Sequence, residues 1–225
     1  MASLTPDSAR VFWKALLDNA TRLIADAQLL LDAGSSRRAR SLAVLAMEEL
    51  GKALWVYSQF ASDWSKGATA AQEFSMTTDH VKKYMEAFVF GDELAEFWGD
   101  YSEGDSMPMK EADFALWLAE REKKSTLAAK QANRDKQRGF YADLGATDGD
   151  NRSIEQFQVE LTRAAQVIEM MLIKDHSRMK FDSQLPYDGT HEQQWRLMPV
   201  SHPEDFADFI DSVDASKIFD DDAPK

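Results

Sequence analysis

Two side chains of this chain stand where proton transfer could be built, Glu49 and His80. Glu49 belongs to the segment 38–53, which reads as one helix. With Ala46 as origin and about 100° per residue, Ala39, Leu42, Ala43, Leu50, Ala53 and Tyr57 fall within about 60° of it. Glu49 lies about 60° to one side, at the margin of that apolar face. A carboxylate there needs a partner, because an unpaired buried charge is costly. Either a helix–helix salt bridge or a polar site supplies one. Glu48 falls well away from the face and is placed to pair with Lys52 at i,i+4.

His80 opens a further helix, with Lys82 and Lys83 behind it. An imidazole there can act as acid or base near neutral pH, or simply cap and pack the helix start. Arg37 and Arg38 occupy the first turn of the Glu49 helix, where a cation opposes the helix dipole at about 0.3–1 kcal/mol each. Such a violation points to function, to a tertiary partner, or to plain solvation. His176, His191 and His202 lie in or near the C-terminal tail and rank below His80.

Metal chemistry is not expected. A di-iron bundle needs Glu-x-x-His pairs, and the residues three before the histidines are Thr77, Ile173, Asp188 and Pro199. Gly34 and Gly51 are isolated, so there is no phosphate-cradling loop, and no cofactor is expected.

A basic cluster offers binding rather than catalysis. Residues 121–138 hold seven Lys/Arg against Glu122 and Asp135, a local net of +5. Lys130, Arg134, Lys136 and Arg138, followed by Phe140 and Tyr141, could hold phosphates and stack a base. The alternative is a helix end that docks its two aromatics on the core.

These groups must be positioned by helices, because the apolar period is 3.6 nearly throughout. A first helix is predicted over about 6–33, with Thr5 as N-cap, Pro6 at N1, and a stripe from Trp13 through Leu16, Leu17, Ala20, Leu23, Ile24, Ala27, Leu30 and Leu31. Gly34 stops it, and Ser35 or Ser36 starts a second helix over about 36–62, so the two form an antiparallel hairpin. A third helix is predicted over about 79–90, with Val81, Tyr84, Met85 and Phe88 on one face. Glycines and Pro108 make 91–109 a loop. A fourth helix follows over about 110–137, carrying Phe114, Trp117, Leu118, Ala128 and Ala132 inward. The Gly/Asp-rich 144–151 is another loop. Ser153-x-x-Gln156 is a capping box for a fifth helix over about 154–176, with Ile154, Phe157, Leu161, Ala164, Ala165, Ile168 and Leu172 inward. No strand pattern stands out. The fold class is therefore all-α, an antiparallel bundle of about five main helices over 1–180, with an irregular acidic extension over 181–225. In the extension only 203–213 looks helical, through Phe206, Phe209, Ile210 and Val213.

Bulk properties narrow the class further. The 225 residues carry a net charge of −13 and no cysteine. Without cysteine there is no disulfide framework and no thiolate chemistry, and an intracellular compartment fits. No signal peptide and no membrane span are expected. The extension holds 11 Asp/Glu and 3 Lys/Arg, a net of −8. An acidic total argues against nonspecific duplex binding but leaves room for RNA on one basic face.

The residues Ala27-x-x-Leu30 and Gly34, then Arg38-Ala39-x-x-Leu42-Ala43-x-x-Ala46-x-Glu48-Glu49-x-Gly51-Lys52-Ala53, resemble the AbiV group of abortive-infection proteins within the HEPN superfamily. His80-x-x-Lys83 and Lys136 through Tyr141-x-Asp143 extend the pattern, over about residues 8–176. The resemblance implies an all-α HEPN-like bundle, often a homodimer, in the bacterial cytoplasm. It implies defence against phage in which host growth or translation is shut down, with RNA or a ribosome-associated target and a phage-encoded protein activator as partners. HEPN ribonucleases place an Arg and a His four to six residues apart on a late helix. No histidine of this chain is expected to have an Arg at that distance before it, and Arg163 precedes His176 by 13 positions. A nuclease site would then draw on Arg38, Glu49, Lys52, His80 and Lys83. The other class is a non-catalytic helical module that senses or sequesters a phage or host protein.

Overall fold

The computed structural model describes residues 2–98, 111–141, 154–178 and 197–201, and the fold is all-α. α1 spans Pro6–Asp32 and α2 spans Ser36–Lys66. Thr5 caps α1, its Oγ1 accepting from the Ser8 amide at 3.2 Å. Gly34 takes φ +76° in the connection, where the left-handed backbone favours a residue without Cβ. The hairpin is closed at its far end by Trp64, whose indole Nε1 donates to the Pro6 carbonyl at 2.8 Å. α2 runs one turn past the expected end because Trp64 belongs to the core.

α3 spans His80–Trp98, α4 spans Glu111–Phe140, and α5 spans Ile154–Ser177. The expected loop from 91 is helical to Trp98. Gly91 is buried there: a Cβ would sit 3.2 Å from Val167 Cγ2 and 3.3 Å from Arg163 Cγ. The glycine therefore marks a close crossing of α3 and α5 rather than a break. In α5 the stripe Phe157, Leu161, Ala164, Ala165, Ile168 and Leu172 is buried as expected. Ile154 is exposed instead, since it begins the helix beyond the packed face. The side chains of Phe114, Trp117 and Leu118, the loop 144–151, the cap at Ser153 and the segment 203–213 lie outside the described residues.

Two short strands, β1 (Ala2–Leu4) and β2 (Gln72–Phe74), form an antiparallel ribbon with Ser3 opposite Glu73. Three-residue strands are too short to leave an alternating pattern in the sequence. The turn α6, Met198–Ser201, lies against α5 with Leu197, Val200 and Ser201 buried.

The core is centred on α2, which packs against α1, α3, α4 and α5. Its small inner residues, Ala39, Ala43, Ala46 and Ala53, let the neighbours approach. A carbonyl of α3 comes closer still: at Gly51 a Cβ would overlap the Lys83 carbonyl oxygen and lie 2.8 Å from its carbon.

Candidate functional site

Because α2 is surrounded, its second face is buried too. Arg40, Ser41, Val44, Met47, Glu48 and Gly51 all lie in the interior, opposite the alanine stripe. This corrects the placement of the two glutamates. Glu48, expected to lie away from the apolar face and to pair with Lys52, is 4% exposed and pairs with Lys136. Glu49 lies on the remaining solvent-facing arc with Arg38 and Lys52, and Lys52 Nζ donates to its Oε1 at i,i+3. A one-face helical wheel cannot anticipate a helix packed on four sides.

Glu48 organises three helices. Its Oε1 accepts from Lys136 Nζ of α4. Its Oε2 lies 2.7 Å from Nδ1 of His80, in the first turn of α3. Lys136 Nζ is 3.3 Å from the same ring nitrogen. The Glu48 and Lys136 charges offset each other inside the protein, which is what allows both to be buried. The His80 side chain remains 56% exposed. When Nδ1 donates to Glu48, Nε2 keeps its lone pair and can take a proton. The unit is therefore an exposed imidazole oriented by a buried carboxylate.

The other flank of α4 is held by a second charge cluster. Arg40 lies 3.5 Å from Asp135 and also pairs with Glu160 of α5. Between the flanks, Ser41 Oγ lies 3.0 Å from the Lys136 carbonyl, and Arg37 Nη2 donates to the Arg138 carbonyl at 3.2 Å. Arg37 thus serves the C-terminal carbonyls of α4, where a cation is favoured. That explains one of the two arginines whose position opposes the dipole of α2. Arg38 is exposed. Gly139 permits the contact, since a Cβ there would stand 2.5 Å from the Arg37 carbonyl oxygen.

Of the expected catalytic set, the structure brings His80 to the Glu48–Lys136 pair, Glu49 to Lys52, and the Lys83 backbone to Gly51. Of the expected RNA-contacting set, Lys130, Arg134, Arg138 and Tyr141 are exposed. Lys136 is 8% exposed and engaged by Glu48, so it leaves that face. The aromatics at the end of α4 do not dock on the core: Phe140 is 48% and Tyr141 71% exposed. Tyr141 follows Lys123, Leu127, Lys130, Arg134 and Arg138 on one outward face of α4.

A third charged unit is structural. Arg10 makes two bonds to the Asp175 carboxylate, at 2.6 and 2.7 Å, and its guanidinium sits 4.9 Å from each of the Trp13 and Trp64 rings. It ties α1, α2 and α5 together.

The architecture defines the class as an all-α helical bundle built around a central hairpin helix. A family model described as AbiV, of the HEPN type, matches residues 8–169. The chain belongs to that family of abortive-infection, defence-type proteins. No curated protein and no solved structure matches it. Beyond the matched region, Arg196 precedes His202 by six residues, which is the separation the HEPN resemblance calls for. This corrects the expectation that no histidine has an arginine at that distance before it; the spacing is legible in the sequence itself. The turn between them, 197–201, is the helical one packed on α5, while Arg196 and His202 lie outside the described residues.

Among the described residues no cluster has the makings of a metal site. No helix there is long and apolar enough to cross a membrane.

Proposed function

We propose that this AbiV protein arrests the growth of its bacterial host by acting on RNA or on the translation machinery. The observation that carries this reading is the outward face of α4, where Lys123, Lys130, Arg134 and Arg138 are exposed together with Tyr141. Cations that track a phosphate backbone beside an aromatic ring for stacking are what single-stranded RNA requires. The face stands out because the chain as a whole carries a net charge of −13.

If the protein cleaves RNA, two histidines are the proton-transfer groups to separate. His80 has Glu48 behind its ring. His202 has Arg196 at HEPN spacing. Arg38, Glu49, Lys52 and Lys83 remain the other polar candidates. The second reading, a non-catalytic module that captures a phage or host protein, draws on the polar contacts of Glu48, which also make sense as a helix staple.

The test is growth arrest in cells, read beside RNA binding and cleavage by the purified protein. Lys130→Ala, Arg134→Ala and Arg138→Ala together should weaken RNA binding, flatten its salt dependence by about three units of slope at most, and relieve arrest. His80→Ala and His202→Ala should leave binding intact, and the catalytic one should lower cleavage by about 10²-fold or more. Full arrest by the folded triple variant would overturn the RNA reading. Full arrest by both histidine variants would leave the binding-module reading in its place.

A further inference from the structure

We propose that the outward face of α4 is the docking surface for this chain's own acidic C-terminal segment, residues 204–225, which covers it as a polyanion in place of RNA. The mimicry rests on the RNA reading above; the docking itself does not.

The face has two properties at once. It is basic, through Lys123, Lys130, Arg134 and Arg138, and it carries exposed apolar side chains, Leu127 at 59% and Tyr141 at 71%. Leu127, Lys130, Arg134, Arg138 and Tyr141 follow at steps of three or four, so they share one side of the helix. A partner that fits must be acidic and must also bring apolar groups of its own. RNA supplies the charge and a ring face for Tyr141, but nothing suited to Leu127.

The segment 204–225 matches both requirements. It holds eight Asp/Glu against Lys217 and Lys225, a net of −6. Phe206, Phe209, Ile210 and Val213 follow at i, i+3, i+4 and i+7, the spacing of one helix face. Asp205, Asp208, Asp211 and Asp214 are interleaved with them. A segment of this charge has little core of its own, so its apolar positions need another surface.

Geometry allows the contact. Leu197 and Val200 are buried against α5, so the chain is held to the body just before the segment begins. From Ser201, the five to twelve residues that lead to Phe206 and Val213 can span about 17 to 40 Å when extended, up to nearly the diameter of a domain of this size. A tether of that kind makes docking intramolecular, at an effective concentration in the millimolar range. Even weak attraction then keeps the face covered.

The absence of cysteine makes a direct test clean. In the full chain, Leu127→Cys is paired with Phe209→Cys, and Val11→Cys with Phe209→Cys serves as the control, Val11 being 69% exposed on α1. Mild oxidation should give an intramolecular disulfide at Leu127→Cys several-fold faster than in the control, and Arg134→Glu with Arg138→Glu should remove that preference. In a second arm, the full chain with Asp205, Asp208, Asp211 and Asp214 changed to Asn should bind a 20-nucleotide oligo(U) about tenfold or more tighter. Equal rates at both cysteine positions, or disulfides that form only between chains, would overturn the docking. A preferred intramolecular disulfide with unchanged oligo(U) affinity keeps the docking and overturns the mimicry. If neither chain binds RNA while the disulfide forms at Leu127→Cys, the RNA reading fails and the docking stands.

Discussion

Oε2 of Glu48 and Nδ1 of His80 lie 2.7 Å apart, which joins the middle of α2 to the first turn of α3 across 32 residues of sequence. The same carboxylate takes Lys136 on its other oxygen. Removing it should leave a lysine whose side chain is 10% exposed without its counter-charge. Glu48→Ala is therefore expected to cost about 3–5 kcal/mol, the scale of breaking a buried pair. Urea unfolding followed by circular dichroism reads this directly, and a loss below about 1 kcal/mol would show that the pair carries little.

Glu49→Ala should behave differently. Its partner Lys52 is one turn away on the same helix, and both side chains are about one-fifth exposed. The pair should contribute a few tenths of a kcal/mol. The contrast between two adjacent glutamates, measured in one denaturation series, checks which of them is the interior residue.

Gly51→Ala tests the α2–α3 crossing. In an isolated helix the change would stabilise by about 1 kcal/mol. Here the new Cβ meets the backbone of Lys83, 2.8 Å from its carbonyl carbon, and a backbone cannot rotate away. A net loss of about 1–3 kcal/mol is expected. A thermal midpoint at or above that of the parent would contradict the close approach.

Asp175→Ala should cost about as much as Glu48→Ala, because it takes a two-bonded carboxylate from the buried guanidinium of Arg10, which lies against two tryptophan rings. The double variant Arg10→Met with Asp175→Leu should recover most of that loss, since a well-packed apolar pair can replace a buried ion pair. A double-mutant cycle by chemical unfolding measures the coupling.

How much of this was legible beforehand differs by element. The α1–α2 hairpin was written locally: Thr5 and Pro6 to start, Gly34 to turn, and stripes of period 3.6 on both sides. Each of those signals acts within a few residues, so the chain announces them without knowledge of its partners. The bundle class followed for the same reason, and so did the buried stripe of α5 from Phe157 to Leu172.

The candidate site was legible only in part. His80 could be picked out as a residue type, and Lys130, Arg134, Arg138 and Tyr141 as an exposed basic cluster. That Glu48 rather than Glu49 turns inward was decided by tertiary structure, because α2 packs against four other helices and a residue opposite one apolar face becomes interior when a second face is covered. Lys136 was withdrawn from the basic face by the same event: its charge became stable inside only once a carboxylate 88 residues earlier had been brought beside it. Gly91 and Gly51 read as breaks or isolated glycines until neighbouring helices approached them to within a few ångströms. The sequence by itself therefore determined the helices, their order and the supply of charges. Only the packing decided which charges face each other, because burial depends on what covers a side chain, and that partner is distant in the chain.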